Sequence, residues 1–502
     1  MNISVIWRAL ASRINDHQPG IQTDSEHNWA RSLSLGAMAI LIVSVSLLFT
    51  AGTGATSRSE TPEASTQPQI SAAFNSERVP ESHNTAQAAG PDPNTQRALS
   101  VGKTGLVIEG LSNERFKNLS PLMGRAEVRL IEIYQLLAQQ EHREALSRVE
   151  QLLKDHPNYQ LAHLVRGDLL SAHAGQKNIL DEKFQHLPPG ALEQLASLKE
   201  EAHRRLRGLT ERPPEGRIPK QFLSLSSRSR HAIAIDASRS RLYLFENLAA
   251  SGETSLPVQG TQLRLLADFY ISVGQLGIEK QQEGDRKTPV GIYYITSRLD
   301  TSKLPDLYGT GALPINYPNA LDQQRGKTGH GIWLHGTPSN QFVRAPEASD
   351  GCIVLANPDL ERLMSKVQPR TTPVVIAAEL EWVQPQTLQN EREDFEGVLR
   401  NWLEAKNRGQ LYRLKWFYAE RFSHKGNDLS QWWPQLEREI QTSENRQLTI
   451  QTLSMLHWQD SEETMVVSFS EGAEGQRRTV DKRQYWVREK GRWKIFSEGS
   501  DG

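Results

Sequence analysis

Cysteine is almost missing from this chain: Cys352 is alone among 502 residues. One thiol cannot close an intramolecular disulfide, so packed cores have to hold the fold. A zinc site needs paired ligands at short spacing, and one Cys with scattered His supplies none. Glycine-rich phosphate loops and dinucleotide fingerprints are also missing. The sequence thus implies no metal and no cofactor. Charge of one sign is lacking too. Lys+Arg number 58 and Asp+Glu 59, a formal net charge of −1, which argues against the basic footprint of a nucleic-acid binder.

Long apolar runs are scarce, and the one that occurs stands out. Residues 32–57 carry no charge, and within them Leu33 to Ala51 is mostly apolar. About 20 such residues span a bilayer as a helix. A buried core helix fits poorly, because a long polar tract with nothing to cover the run follows it. Arg8, Arg13 and Arg31 precede the run, which places the N-terminus inside and the remainder outside the cytoplasm. A cleaved signal peptide competes, since Ala51, Gly52, Gly54 and Ala55 are small. The polar lead-in is long for a signal peptide, which favours an uncleaved anchor. The expected organisation begins with a cytoplasmic segment (1–31), a single-pass anchor (32–51) in the inner membrane and a disordered linker (52–100) rich in Ser, Thr, Ala, Gln, Pro and Asn. As a flexible coil that linker averages about 40 Å end to end.

At this length the chain should hold two to four domains. Residues 101–215 have a helical period: Leu130, Ile131, Tyr134 and Leu137, then Ala145, Val149, Leu152 and Leu153. The stretch from Glu141 through Pro157 to His163 resembles the second helix of a tetratricopeptide repeat, its closing proline and the next helix. About one and a half repeats are visible, whereas solenoids need three or more. Two readings stand: a helical hairpin packed on a neighbour, or a surface for a protein partner. From His231 the period becomes two. Strands are expected at 231–236, 241–245, 265–273, 291–297, 331–334 and 372–377, with one helix over 357–367.

From about residue 390 the composition changes again. Seven of the eleven tryptophans lie here: Trp402, Trp416, Trp432, Trp433, Trp458, Trp486 and Trp493. Phe395, Val398, Leu399, Trp402 and Leu403 form one helical face. Strand-like runs follow at 448–453, 465–470, 483–488 and 492–497, the last two flanking a tight turn at Glu489-Lys490-Gly491. The tryptophans either line a ligand pocket or pack a small core. Residues 388–502 are expected to form an independent domain that folds alone.

The chemistry concentrates around the single cysteine. It sits in Ser349-Asp350-Gly351-Cys352-Ile353, seventeen residues after His335 in Leu334-His335-Gly336-Thr337. A lone Cys is usually a small buried core residue. A thiol of pKa about 8.5 is little ionised at neutral pH, so a nucleophilic Cys352 needs a base, and His335 is the candidate. Backbone N–H groups around Gly351 and Cys352 are candidates to hold an oxyanion, with Gly351 permitting close approach. Gly336, Thr337, Ser349 and Asp350 are candidates to orient the imidazole or bind substrate. His330 is a second imidazole nearby, read as structural.

His335-Gly336, Ser349-x-Gly351-Cys352-Ile353 and the upstream run Gly284-Asp285-Arg286-Lys287-Thr288-Pro289-Val290-Gly291 together resemble the L,D-transpeptidase family (YkuD-type catalytic domain) over residues 228–380. Asp350 stands where that family usually has His, and Val354 where it has Arg or Asn. The order of helices then curved sheet over 388–502, closing in Tyr485-Trp486-Val487 and Trp493-Lys494-Ile495, resembles the nuclear-transport-factor-like cone fold. The fold class expected is multidomain α+β: a transmembrane helix, a linker, a short TPR-like helical region, a mainly β catalytic domain and an α+β cone domain.

The resemblance implies peptidoglycan stem peptides as substrate. Cys352 would form a thioester at the carbonyl between an L-centre diamino acid and a D-amino acid. An amine would then give a cross-link or attach a wall-anchored lipoprotein. Water would instead make the protein a carboxypeptidase or amidase, or detach such a lipoprotein. A wall-binding scaffold with an idle catalytic fold is the reading of another class, and the joint presence of Cys352 and His335 argues against it. The catalytic domain would be periplasmic or otherwise extracytoplasmic.

Overall fold

The computed structural model describes residues 101–102, 105–106, 113–173, 189–251, 261–442, 447–473 and 478–500. The expected cytoplasmic segment, membrane anchor and linker all lie outside these residues. Among the described residues no helix is long and apolar enough to cross a membrane.

After a short helix at Asn113–Leu119, four longer helices follow: α1 (Arg125–Ala138), α2 (His142–Asp155), α3 (Gln160–His173) and α4 (Pro189–Thr210). Every apolar position of the helical period, from Leu130 to Leu153, is buried. Pro157 falls between α2 and α3, where a residue lacking an N–H and fixed in φ ends one helix and starts the next. These helices do not form a free-standing array. Their core takes in Tyr270 and Val343 of the domain that follows, with Phe342 packed against it.

An ionic cluster seals the same junction. Glu127 of α1 accepts from Arg205 of α4 (3.0 Å) and, bidentately, from Arg241 (both 2.9 Å). All three side chains are buried. Burial pushes the Glu127 carboxyl up, and the two guanidiniums more than reverse it, leaving it below its ordinary value.

The middle domain is built on β2 (His231–Asp236), β3 (Arg241–Asn247), β4 (Leu263–Gly274), β5 (Gly291–Tyr294), β6 (Gly311–Pro314), β7 (Trp333–His335), β8 (Glu347–Ser349), β9 (Ile353–Leu355) and β10 (Pro373–Ala377). Preceding them, β1 (Phe222–Ser224) belongs to another sheet. The order is β5-β10-β2-β3-β4-β9-β7-β6, with Leu299–Asp300 at the far edge and β8 alongside β4. Helix α5 (Asn357–Met364) packs Leu360, Leu363 and Met364 into the core on one face. Along β2 the alternation of Ile with Ala has a direct cause. Ile233 and Ile235 enter the core under α5, while Ala232 and Ala234 face a second core shared with the C-terminal domain. The sheet is therefore covered on both faces.

The C-terminal domain has α6 (Gln389–Asn407), α7 (Leu429–Thr442) and a curved antiparallel sheet of β11 (Leu448–Gln459), β12 (Glu463–Ala473), β13 (Thr479–Glu489) and β14 (Arg492–Ser500). Its strand order is β14-β13-β12-β11-β1, so the fifth strand comes from Phe222–Ser224, ahead of the sheet of the middle domain. Trp402 and Trp486 are fully buried, and most of the other tryptophans pack around them. Here the aromatics fill a core. Lys490 and Gly491 take positive φ at the β13–β14 turn, as a two-residue hairpin with this twist requires.

Candidate active site

The two candidate reactive residues are brought together by strand pairing. Strands β7 and β9 run parallel, with Leu334 opposite Ile353 and His335 opposite Val354. Leu334 and Ile353 both point into the core under α5. Alternation then sends His335, and Cys352 just before Ile353, out of the opposite face. One strand apart and two residues offset, their Cα atoms lie on the order of 8 Å from each other.

His335 is 3% exposed. Its Nδ1 lies 2.7 Å from the Gly336 carbonyl oxygen. In the tautomer that donates this bond, Nε2 keeps its lone pair and can accept a proton. The imidazole is lowered to about 4: burial drives the fall, the charge of Arg344 adds to it, and the Gly336 carbonyl opposes it. Tyr308 stacks edge-on against His335 (5.1 Å between centroids) and leans on Trp333 (4.8 Å). The site thus has an aromatic wall.

Cys352 sits at the end of a tightly tied turn. Its Sγ lies 3.5 Å from the Gly331 carbonyl oxygen. Burial raises the thiol pKa, while the Trp333 N–H and the charge of Arg344 oppose the rise. With a raised thiol and a lowered imidazole, the resting pair is neutral on both sides. Ser349 is the buckle of the turn: its Oγ accepts the Gly351 N–H (3.1 Å) and donates to the Cys352 carbonyl (2.6 Å).

Gly351 has φ +118°, and a Cβ there would meet the Lys287 carbonyl oxygen at 2.7 Å. Both facts demand glycine. Thr288, fully buried, donates to the Gly351 carbonyl (2.9 Å) and accepts the Gly274 N–H (2.9 Å). The Thr288-Pro289 run and the cysteine motif, far apart in sequence, are thus locked to each other.

The remaining candidates have different places. The Gly336 carbonyl orients the imidazole, and the Gly336 N–H goes to the Tyr308 carbonyl (3.0 Å). Thr337 is buried and donates its hydroxyl to the Phe342 carbonyl (3.1 Å), away from the imidazole. Asp350 is exposed and accepts from Gln275 Nε2 (2.8 Å). His330 lies in solvent, 3.6 Å from Glu283 and 82% exposed.

Three residues of the site escaped sequence reasoning. Asn357 Oδ1 accepts from the Thr310 and Thr337 N–H groups (3.1 Å each), and its Nδ2 donates to the Thr337 carbonyl (2.9 Å). It clamps the turn after His335. Tyr308 supplies the wall, and Arg344 supplies a positive field to both reactive groups. Asn357 directly before Pro358 at the start of the expected helix was the one available signal.

Residues 230–376 match the L,D-transpeptidase catalytic domain, YkuD. Residues 395–499 match the Cds6 C-terminal NTF2-like domain. The chain thus carries an L,D-transpeptidase catalytic domain followed by an NTF2-like domain. No curated protein matches it. Among solved structures, Bd1075 of Bdellovibrio bacteriovorus is similar at 24% identity and TM-score 0.46, over 57% of this chain and 98% of that one. The helical cell shape determining protein Pgp2 of Campylobacter jejuni is similar at 22% identity and TM-score 0.44, over 56% and 95%. An L,D-transpeptidase from Mycobacterium smegmatis is similar at 13% identity and TM-score 0.19, over 30% and 59%.

Proposed function

We propose that this chain is a cysteine-dependent acyl-transfer enzyme acting on peptidoglycan stem peptides, with Cys352 as nucleophile and His335 as base. The observation that carries the reading is the β7–β9 pairing, which sends the imidazole and the thiol out of one face of a domain matched to L,D-transpeptidases.

The chemistry follows from a neutral resting pair. As substrate binds, the Cys352 proton passes to His335 Nε2 while Nδ1–H stays on the Gly336 carbonyl. The thiolate forms a C–S bond to the carbonyl between the L-centre diamino acid and the D-residue. The Gly351 N–H is already given to Ser349. The N–H of Cys352 itself is then the nearer donor for the oxyanion, and such a donor contributes about 3 kcal/mol. Collapse breaks the C–N bond, and the imidazolium returns its proton to the departing amine. The thioester is then consumed by an amine, giving a cross-link or an attached lipoprotein, or by water, giving a shortened stem. His335 takes the proton of the incoming amine or water in that half-reaction. The expected anchor at 32–51 would hold this domain on the outer side of the cytoplasmic membrane, within reach of the wall.

The test is covalent labelling. Intact-mass analysis should find one carbapenem adduct on the wild-type chain and none on Cys352→Ala, with both folded. An adduct that persists on the variant overturns the assignment. Incubation with a tetrapeptide stem, with and without an amine acceptor, separates transfer from hydrolysis by the mass of the product.

A further inference from the structure

Between β7 and β9 the chain crosses a short segment that carries Arg344. Its backbone is fixed from several sides. The Arg344 carbonyl accepts from Tyr270 Oη (3.1 Å), and the Phe342 N–H reaches the Asn158 carbonyl (3.3 Å). Asn158 Nδ2 donates to the Ser339 carbonyl (2.9 Å). The Phe342 ring packs on His156 and Tyr159, 4.5 Å from each. The helical region therefore holds this segment against the catalytic sheet.

The guanidinium is half-buried and underused. Nη1 donates to the Ala348 carbonyl (3.3 Å), in the strand that leads into the cysteine turn. No carboxylate among the described residues lies within ion-pair distance of it. Asp350, the acid in its field, is held by Gln275. Burial lowers the Arg344 pKa, and the negative forms of Asp350 and Cys352 oppose this. A guanidinium offers five donors in a fork that fits a carboxylate. Partial burial of such a fork without a counter-ion is unfavourable until an anion arrives.

We propose that Arg344 binds a carboxylate of the substrate beside the scissile bond, making it a specificity residue for stem peptides that present a free acid there. The identity of the ligand rests on the acyl-transfer reading above. Two carboxylates lie close to the bond that Cys352 would attack: the C-terminal carboxylate of the departing D-residue and the side-chain carboxylate of the diamino acid.

The experiment measures binding rather than turnover, in the full-length Cys352→Ala chain. The ligands are a tetrapeptide stem ending in D-Ala as the free acid, the same peptide as its C-terminal carboxamide, and a version with L-Lys in place of diaminopimelate. Calorimetry should show the free acid binding tighter than one of the two charge-deleted peptides by roughly ten- to a hundredfold. Which peptide weakens identifies which carboxylate is read. Adding Arg344→Gln should erase that preference, and Arg344→Lys should keep part of it, with melting temperatures matched. Unchanged preference in Arg344→Gln overturns the proposal, as does equal affinity for all three peptides in the Cys352→Ala chain, or no binding of any of them. Loss of the preference in Arg344→Gln together with no carbapenem adduct on the wild-type chain would sink the acyl-enzyme reading and leave the carboxylate site standing.

Discussion

Acidification is the perturbation that most directly tests the site. His335 is 3% exposed, and burial takes its ring from an ordinary 6.5 to about 4. At about 1.4 kcal/mol per pH unit, that difference is worth about 3 kcal/mol. The folded state holds the imidazole neutral while the unfolded chain protonates it at the ordinary value. The unfolded state therefore binds more protons between about 4 and 6.5, and stability falls as pH drops through that window. Above the window His335 costs nothing by this route; below about 4 the full penalty applies. Urea melts from about pH 8 to about pH 3 should show the wild type losing about 3 kcal/mol more than His335→Gln, which has no such proton to take up. The same pair governs reactivity. Carbapenem acylation should keep its acid limb near 4 instead of 6.5, because the base stays neutral to that point. Simple alkylation by iodoacetamide should instead rise steadily toward alkaline pH, since the half-buried thiol is raised and no thiolate is stored. An NMR titration of the His335 ring with a midpoint at or above 6.5, or a thiolate absorbance at neutral pH, would refute this reasoning. Either would mean an imidazolium–thiolate pair.

Glu127→Gln keeps the shape and removes the charge between Arg205 and Arg241, so chemical denaturation should register a loss of about 3 kcal/mol or more. A loss below about 1 kcal/mol would mean the cluster does not seal the helical region to the sheet. Asn357→Ala strands the Thr310 and Thr337 N–H groups, and is expected to cost about 2 kcal/mol and to slow carbapenem acylation. Unchanged acylation kinetics would remove Asn357 from the support of His335. A fragment of residues 388–502 lacks Phe222–Ser224, leaving β11 with an open edge and the core without Leu223. It should melt less cooperatively than a version with residues 217–226 fused ahead of it, and equal melts would show that β1 is dispensable.

Much of this was legible before any coordinates, and the legible parts share a cause. Amphipathic helices write their period into sequence, and Leu130, Ile131, Tyr134, Leu137, Ala145, Val149, Leu152 and Leu153 are all buried. The strands with clear alternation, at 231–236 and 241–245, form where expected. Short strands are a different matter. Glu347–Ser349, Ile353–Leu355 and Phe222–Ser224 have three residues each, too few to display a period, and partners distant in sequence create them. Helix α7 was hidden by Pro434 inside it. At the site, the Cys–Gly and His–Gly pieces stood out because their residue types are rare and close together. Arg344 and Asn357 did not, since an arginine or asparagine in a loop has many ordinary explanations, and only proximity singles these two out.

The helical region and the catalytic sheet are best understood as one mechanical unit. Arg241 on β3 reaches Glu127 of α1, and the adjacent strand β4 carries Tyr270, Ser272 and Val273. Tyr270 holds the Arg344 carbonyl, Ser272 Oγ accepts the Ala348 N–H (3.2 Å), and the Val273 N–H reaches the Pro346 carbonyl (2.8 Å). These three ties on the segment from Arg344 to Ala348 thus come from a strand neighbouring the one that α1 grips, and Arg204 of α4 adds an ion pair to Glu347 (2.7 Å). Phe342, seated on His156 and Tyr159 in the α2–α3 connection, closes the circuit from the other side. A helical region that merely tethered the enzyme would not need a buried carboxylate between two arginines or an aromatic wedge beside the site. Its position makes it the back wall of the segment that joins His335 to Cys352, and it sets where the Arg344 guanidinium stands relative to the thiol.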